Sequence, residues 1–479
     1  MNPFITLKEL KAKLDQKELS TKEVIRFYGD RIKKYQPKLN AFIEHFDDVQ
    51  APDIADKGPL AGIPIAIKDN ICQKGRTNSA GSKILANYRA PYDATVVAHL
   101  KTAGAVSVGR SNMDEFGMGG SGEFSAYGPT KNPWNTDLVP GGSSSGSGAA
   151  VAAGLVPCAL GTETGGSVRS PATFCNLTGL YPTYGLNSRY GLIAFTSSTD
   201  QVGLLTRTVY DNAMLLSVTA GKDERDATSL DVAKKDYTIG LDGTIPAGLK
   251  IGIIKDAVEA EGIDPEVRAT FLQAVEQLKK LGATISYIDL PNLKYGIALY
   301  FIISRAEAAS NLYRYDGSLY GARKMDATNL ADMYLGTRDE GFGQEVKRRI
   351  LVGNYVLSAG HKDAYYNKAQ SIRAMLRAEF NEAFKAVDLL ISPTAPMLPF
   401  AIGGLSQDPV AMYMADYFTT PNCIIGTPAL AIPAGFSKNN LPIGFQFFGP
   451  RLSEALLYKV AHAFQESTDY HLKTPAGYE

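Results

Sequence analysis

Two glycine–serine tracts hold the residues best suited to chemistry: GGSSSGSG at 141–148 and GTETGGS at 161–167. Their leading serines, Ser143 and Ser167, lie 24 residues apart, with the small-residue run AAVAAGLV between them. A serine hydroxyl can attack a carbonyl or relay a proton. Glycine lets backbone amides approach a ligand closely, and a developing oxyanion needs such donors beside the nucleophile. The pair therefore reads as an acyl-transfer site. The competing reading is a flexible Gly/Ser linker, but linkers do not usually run straight into apolar sequence. Residues 149–155 read as a buried helix that anchors the first tract and aims its N-terminus at whatever the loop holds.

Ser144 lies in GSSSG and matches GxSxG, the nucleophile elbow of α/β-hydrolases. An elbow needs an apolar strand just before it, and the preceding residues are WNTDLVP (134–140). TGGS at 164–167 suits a nucleophile better, because the amides of Gly165 and Gly166 ahead of Ser167 can form an oxyanion hole. A serine nucleophile also needs a base. The five histidines, His45, His99, His361, His462 and His471, fall in no catalytic motif. Lysine is the next candidate. Lys68 follows the apolar run LAGIPIAI (60–67), where burial would lower its pKa from about 10.4 by several units and leave an amine able to accept a proton.

The elements that must position these groups show in the periodicity. TLKE (6–9) and STKE (20–23) are capping boxes opening two amphipathic helices. The second presents Val24, Phe27, Tyr28, Ile32 and Tyr35 on one face. Residues 60–67 predict a strand, 95–101 a helix and 105–108 a short strand. Residues 111–148 have no helical period and suit a site-forming loop region. Further on, 249–254 predicts a strand. Asp264-Pro265 caps a helix with Val267, Phe271, Val275, Leu278 and Leu281 inward, and Gly282 ends it before a strand at 284–288. Residues 297–386 read as mostly helical, 387–391, 429–432 and 443–448 as strands, and 454–464 as a closing helix. The alternation predicts an α/β fold. We expect one unit over 1–479, with a helical N-terminal segment at 1–50 and a helix-rich insertion at about 297–386.

Composition narrows the function. Hydrophobic residues make up 45% and charged residues 20% of 479, enough for a large core and unlike a disordered chain. Lys+Arg and Asp+Glu are both 49, so no net charge favours direct nucleic-acid or membrane binding. An apolar leader and a membrane-length apolar run are absent, which predicts a soluble, cytoplasmic chain. Cys72, Cys158, Cys175 and Cys423 are scattered without a CxxC pair, so buried free thiols are expected and a metal site is not.

Lys68, GGSSSGSGAAVAAG and TGGSVR, in this order, resemble the amidase signature family. The resemblance implies an α/β/α sandwich with a large mixed central sheet. It also implies a Ser–cis-Ser–Lys triad on Lys68, Ser143 and Ser167, an oxyanion hole on the amides of Thr164 to Ser167, and a cis peptide bond before Ser143. IKDNI (67–71), NMDEF (112–116), YGPTKNPWN (127–135), EGFGQEVKRRI (340–350) and DPVAMYMADYFTTP (408–421) narrow it. They are similar to the branch that hydrolyses glutamine for tRNA-dependent amidotransferases. That branch implies a donor glutamine held by Tyr300, Arg349 and Asp416. Arginine offers a fork for an α-carboxylate, and aspartate a counter-charge for an α-ammonium.

The same resemblance implies partner B and C subunits. The B subunit would bind Glu-tRNA(Gln), use ATP and Mg²⁺, and consume the ammonia, so no cofactor is expected in this chain. A free-standing amidase acting on another small amide is the alternative; such a substrate would leave Arg349 and Asp416 unused. A non-catalytic scaffold with a relic site is a further alternative, opposed by the intact triad. The chain departs from the family pattern in a short 44–59 segment, Tyr181 for lysine, Ser170 for glutamine, Ser145 for glycine, and His361-Lys362 for a tyrosine pair. No departure falls on a triad or donor position.

Overall fold

A computed structural model describes residues 1–49, 58–405 and 408–479. The 44–59 segment and the end of the expected N-terminal segment lie partly outside these. The framework is an 11-stranded sheet. Its strands are β1 (Phe42–His45), β2 (Pro64–Lys68), β3 (Val106–Ser111), β4 (Cys158–Glu163), β5 (Thr178–Tyr181) and β6 (Gln201–Thr206). There follow β7 (Lys250–Ile254), β8 (Thr284–Ile288), β9 (Leu389–Pro393), β10 (Ala429–Phe436) and β11 (Pro442–Phe448). The order across the sheet is β1-β3-β2-β4-β6-β5-β10-β11-β9-β7-β8. Parallel blocks β3-β2-β4 and β9-β7-β8 flank an antiparallel centre, and β1 adds antiparallel at one edge.

Both faces of the sheet are covered, as strand alternation shows. Ile65 and Ile67 enter one core cluster and Ala66 the other. Cys158 and Leu160 split from Ala159, and Leu204 from Leu205, in the same way. This is the mixed-sheet α/β/α arrangement expected from the sequence.

The expected caps form. Thr6 and Ser20 each accept from the backbone three residues on, and Glu9 and Glu23 reciprocate. Val24, Tyr28, Ile32 and Tyr35 are buried on the second helix, while Phe27 is half-buried. Asp264 caps the Pro265–Lys280 helix, which buries Val267, Phe271, Val275 and Leu278; Leu281 is its half-buried C-cap. The insertion folds as the helices Gly296–Leu312, Leu330–Gly341, Gln344–Leu357 and Lys368–Ala386, with 313–329 non-helical.

Three features differ from the sequence reading. β2 starts at Pro64 because 59–62 forms turns. The helix after the first tract spans Ser145–Ala152, four residues earlier than 149. Glycine makes that possible: a Cβ on Gly146 would lie 2.1 Å from the Ala41 carbonyl oxygen, so only glycine lets the first turn approach there. Finally, β1, β4, β5 and β6 have no counterpart in the sequence reading. β4, β5 and β6 are buried at every position, yet Gly, Thr, Glu and Gln interrupt them (CALGTE, TGLY, QVGLLT), so they show neither alternation nor the continuous apolar run that marks buried β2. No helix among the described residues is long and apolar enough to cross a membrane.

Candidate active site

Lys68 ends β2 and is fully buried. Its Nζ lies 2.8 Å from Ser143 Oγ, 2.8 Å from Ser144 Oγ and 3.0 Å from the Thr162 carbonyl oxygen. Burial pushes its pKa down to about 7, against the opposing charges of Asp114, Asp200 and Glu163. A neutral amine has two N–H donors and one lone pair. The Thr162 carbonyl can only accept. Ser144 Oγ donates to that same carbonyl at 3.1 Å, so towards Lys68 it accepts. The third contact, Ser143, is left to donate its proton into the lysine lone pair. The geometry thus makes Ser143 acidic towards Lys68 and leaves its oxygen free to accept a proton from elsewhere.

Ser144 also accepts from the Thr162 amide at 3.2 Å, so its proton and lone pairs are committed. The residues just before it form turns and bends, which removes the elbow context. Ser144, whose elbow match the preceding sequence already opposed, instead bonds Lys68 Nζ.

The Gly142–Ser143 peptide is cis. The two tracts are tied by the Ser144 amide, which donates to the Ser167 carbonyl at 3.0 Å. Asp114 braces the first tract: its amide donates to the Ser143 carbonyl, and its carboxylate accepts from Gly122 N and Phe124 N. Ser167 is 6% exposed, and its hydroxyl bonds to none of the described residues.

The second tract is held from outside. Thr419 Oγ1 donates to the Gly165 carbonyl at 2.6 Å, and Ser170 N to the Gly166 carbonyl at 2.7 Å. In a trans peptide the N–H points opposite the carbonyl. Fixing these two oxygens therefore turns the amides of Gly166 and Ser167 the other way, and neither donates to an acceptor among the described residues. Thr164 is pinned by its hydroxyl to Asp200 at 2.7 Å. Just upstream, Glu163 accepts from Val168 N, Arg169 N and Arg169 Nε. Glu163 and Arg169 are both fully buried and clamp the loop between β4 and the Arg169–Phe174 helix.

Tyr300 and Asp416 border this loop, and Arg349 lies near both of them. A Cβ on Gly165 would lie 2.7 Å from the Tyr300 ring, and one on Gly166 2.6 Å from Asp416 Oδ1. Asp416 is held at the C-terminal end of the Pro409–Met414 segment, and its Oδ1 is buried without a partner. Burial and the Glu163 charge raise its pKa to about 8, despite Arg349, Arg169 and Arg305. Arg349, 2% exposed, gives Nε to Glu345 at 2.7 Å, while its Nη1 is buried and unpartnered. Its guanidinium lies 5.7 Å from the Phe195 ring centre, and Phe195 borders Gly117, which lies against Ser143. Glu345, Thr419, Asp200 and Asp114 support the site and were missed in the sequence. Thr419 and Glu345 lay in motifs that also hold a named residue, DPVAMYMADYFTTP with Asp416 and EGFGQEVKRRI with Arg349, and Asp114 lay in NMDEF.

Of the departures, Ser145 bonds Thr130 at 3.1 Å and Tyr181 donates to the Thr199 carbonyl at 2.9 Å, both buried. Ser170 is buried on the helix after the loop. His361 lies within reach of Ser358 in a surface turn. Cys72, Cys158, Cys175 and Cys423 are all free and buried.

A buried amine bonded to two serine hydroxyls, an unbonded serine and outward amides together form an arrangement suited to acyl transfer of the serine–lysine kind. The amidase family profile matches residues 23–458. The chain is 48% identical to the A subunit of glutamyl-tRNA(Gln) amidotransferase from Methylococcus capsulatus, over 98% of this chain and 99% of that protein. The crystal structure of the A subunit of glutamyl-tRNA(Gln) amidotransferase from Thermotoga maritima superposes with a TM-score of 0.83 at 40% identity, covering 97% of this chain and 95% of that one. The peptide amidase of Stenotrophomonas maltophilia matches at 30% identity and a TM-score of 0.83, over 99% and 98%. The chain belongs to the amidase family.

Proposed function

We propose that the protein is the glutamine-hydrolysing subunit of a tRNA-dependent amidotransferase. Ser167 Oγ attacks the side-chain amide carbon of glutamine. Its proton passes to Ser143, whose own proton passes to neutral Lys68. The amides of the Thr164–Ser167 loop stabilise the oxyanion. The tetrahedral adduct collapses to a γ-glutamyl ester on Ser167 as the relay returns a proton to the departing nitrogen, releasing ammonia. Water then hydrolyses the ester, with the same groups reversing roles. The observation that carries the choice of donor is the pair of buried, unpartnered atoms beside the oxyanion loop, Arg349 Nη1 and Asp416 Oδ1. They match an α-carboxylate and an α-ammonium, and Tyr300 walls the space between them and the loop.

The near full-length similarity to A subunits of this enzyme supports a cytoplasmic heterotrimer with B and C subunits. The B subunit would bind Glu-tRNA(Gln), hold ATP and Mg²⁺, and convert the glutamyl group to glutaminyl with the ammonia. Steady-state kinetics on glutamine and on propionamide test the donor site. Arg349→Ala should raise KM for glutamine by about 10- to 150-fold, the worth of a charged hydrogen bond, and change propionamide turnover little. Equal losses on both would favour a free-standing amidase, with Arg349 supporting the fold.

A further inference from the structure

The relay serine and the donor arginine sit on different elements, and one buried carboxyl ties those elements together. Glu115 follows Asp114, whose amide donates to the Ser143 carbonyl at 3.2 Å. It is 3% exposed. Its Oε2 accepts from Gly343 N at 2.8 Å, and its Oε1 bonds Ser82 Oγ. Ser82 Oγ also lies 3.2 Å from the Gly341 carbonyl oxygen. Gly343 is the N-cap of the Gln344–Leu357 helix, and no side chain of that helix caps it. An amide at a helix start needs an acceptor from outside the helix. Here the acceptor comes from the loop that braces Ser143, 228 residues away in sequence.

The helix held in this way carries the donor group. Glu345 stands two residues after Gly343. It accepts from Arg349 Nε at 2.7 Å and from the Tyr413 hydroxyl at 3.0 Å. A run of contacts therefore leads from Ser143 through Asp114, Glu115 and Gly343 to Glu345 and Arg349. The approach in the middle is close, since a Cβ on Gly343 would lie 2.4 Å from Glu115 Oε2. Phe116 meets Phe342 beside it, with ring centres 5.7 Å apart. Ring contacts of this kind tolerate sliding, whereas a hydrogen bond is directional and fixes the two segments in register.

We propose that Glu115 is a positioning residue for substrate length: it sets the distance between Arg349 and the acyl-transfer serines, so that the site favours glutamine over asparagine. This rests on Arg349 holding the donor, as proposed above. Both amino acids present the same α-carboxylate. They differ by one methylene between it and the reacting amide, so a fixed arginine places only one of the two amides at Ser167. A misplacement of about 1 Å can cost about 10²-fold in rate.

Kinetics of the full chain on glutamine, asparagine and propionamide test this. The wild type should prefer glutamine to asparagine by about 10- to 200-fold in kcat/KM, the worth of one methylene. Glu115→Ala should cut that ratio by about ten-fold and change propionamide turnover little. Glu115→Gln keeps an acceptor for Gly343 N and should keep the ratio near that of the wild type. Gly343→Ala pushes the carboxyl away and should lower the ratio as Glu115→Ala does. In the double variant it should add little, because both changes break one contact. Arg349→Ala, in the same series, should weaken glutamine and asparagine together against propionamide. If it does not, the donor assignment fails, and this proposal with it. If it does, the proposal is still overturned by a folded Glu115→Ala that keeps the wild-type ratio or loses equally on all three substrates. A Glu115→Gln ratio as low as that of Glu115→Ala would overturn it too. Should Glu115→Ala not fold, Gly343→Ala decides the matter by the same ratio.

Discussion

In the proposed mechanism Lys68 is the base, a role open to it only because burial makes its charged form expensive. With a pKa near 7 it is increasingly protonated as pH falls, and a protonated amine cannot take the Ser143 proton. We therefore expect kcat/KM for glutamine to fall about ten-fold per pH unit below about 7, while no single histidine substitution removes the chemical step. An essential histidine in such a series would displace Lys68 as the base. Ser144 acts one contact further out. Ser144→Ala removes one of three Lys68 contacts and should lower kcat by about ten-fold, a typical hydrogen-bond loss. Ser167→Ala should cost about 10³-fold or more. The reverse ranking in kcat would make Ser144 the nucleophile.

Asp416 allows a test that needs no turnover. A carboxyl with a pKa near 8 is mostly protonated at pH 7, and an α-ammonium placed at Oδ1 would favour its ionised form. Glutamine binding to Ser167→Ala should then release about one proton at pH 7. Titration in buffers of different ionisation enthalpy would show it, and Asp416→Asn should lose it. Release that survives Asp416→Asn would place the α-ammonium elsewhere.

At the scale of elements, the site depends on contacts that tolerate little change. The helices carrying Tyr300 and Arg349 meet where a Cβ on Gly353 would lie 2.0 Å from the Arg305 carbonyl oxygen. Gly353→Ala must push them apart. Overpacking of this kind costs about 1–3 kcal/mol, and here it also widens the donor pocket. The melting temperature should drop and KM for glutamine should rise more than KM for propionamide. An unchanged KM ratio would mean that the helices move together. The Glu163–Arg169 clamp is the other such contact. Glu163→Gln leaves Arg169 buried without its counter-ion, and we expect a loss of about 3–5 kcal/mol in urea unfolding.

These contacts also mark what the sequence hid. Lys68, Ser143 and Ser167 were legible because each lies in a contiguous motif whose residue types are set by chemistry. Capped helices were legible because a cap is a local pattern, as at Ser20 and Asp264. The Glu163–Arg169 pair lay beside TGGS, yet its strength depends on burial, which sequence does not display. Arg305 and Gly353 matter through a helix–helix approach across 48 residues of sequence, and nothing local signals it. β4 and β6 escaped notice because glycine and polar residues break their apolar runs, so unlike buried β2 they show neither alternation nor a continuous apolar stretch.

On the scale of the whole molecule, hydrolysis and transfer fall to different chains under the proposed function. The zero net charge gives this chain no overall electrostatic attraction for phosphate, the term that dominates RNA affinity. All the groups that cleave glutamine lie within this one sheet-centred fold. Removing the nucleophile should therefore silence the ammonia source and leave the ammonia consumer intact. In the assembled complex, Ser167→Ala should abolish glutamine-dependent formation of Gln-tRNA(Gln). The same complex should form it at near wild-type rate when supplied with ammonium chloride, because the proposed function places the transfer step on the partner subunit. Measuring aminoacyl-tRNA with both nitrogen sources separates the two steps. If ammonium fails to restore amidation in a complex that still assembles, Ser167 also serves the transfer step, and the division of labour between the subunits would have to be redrawn.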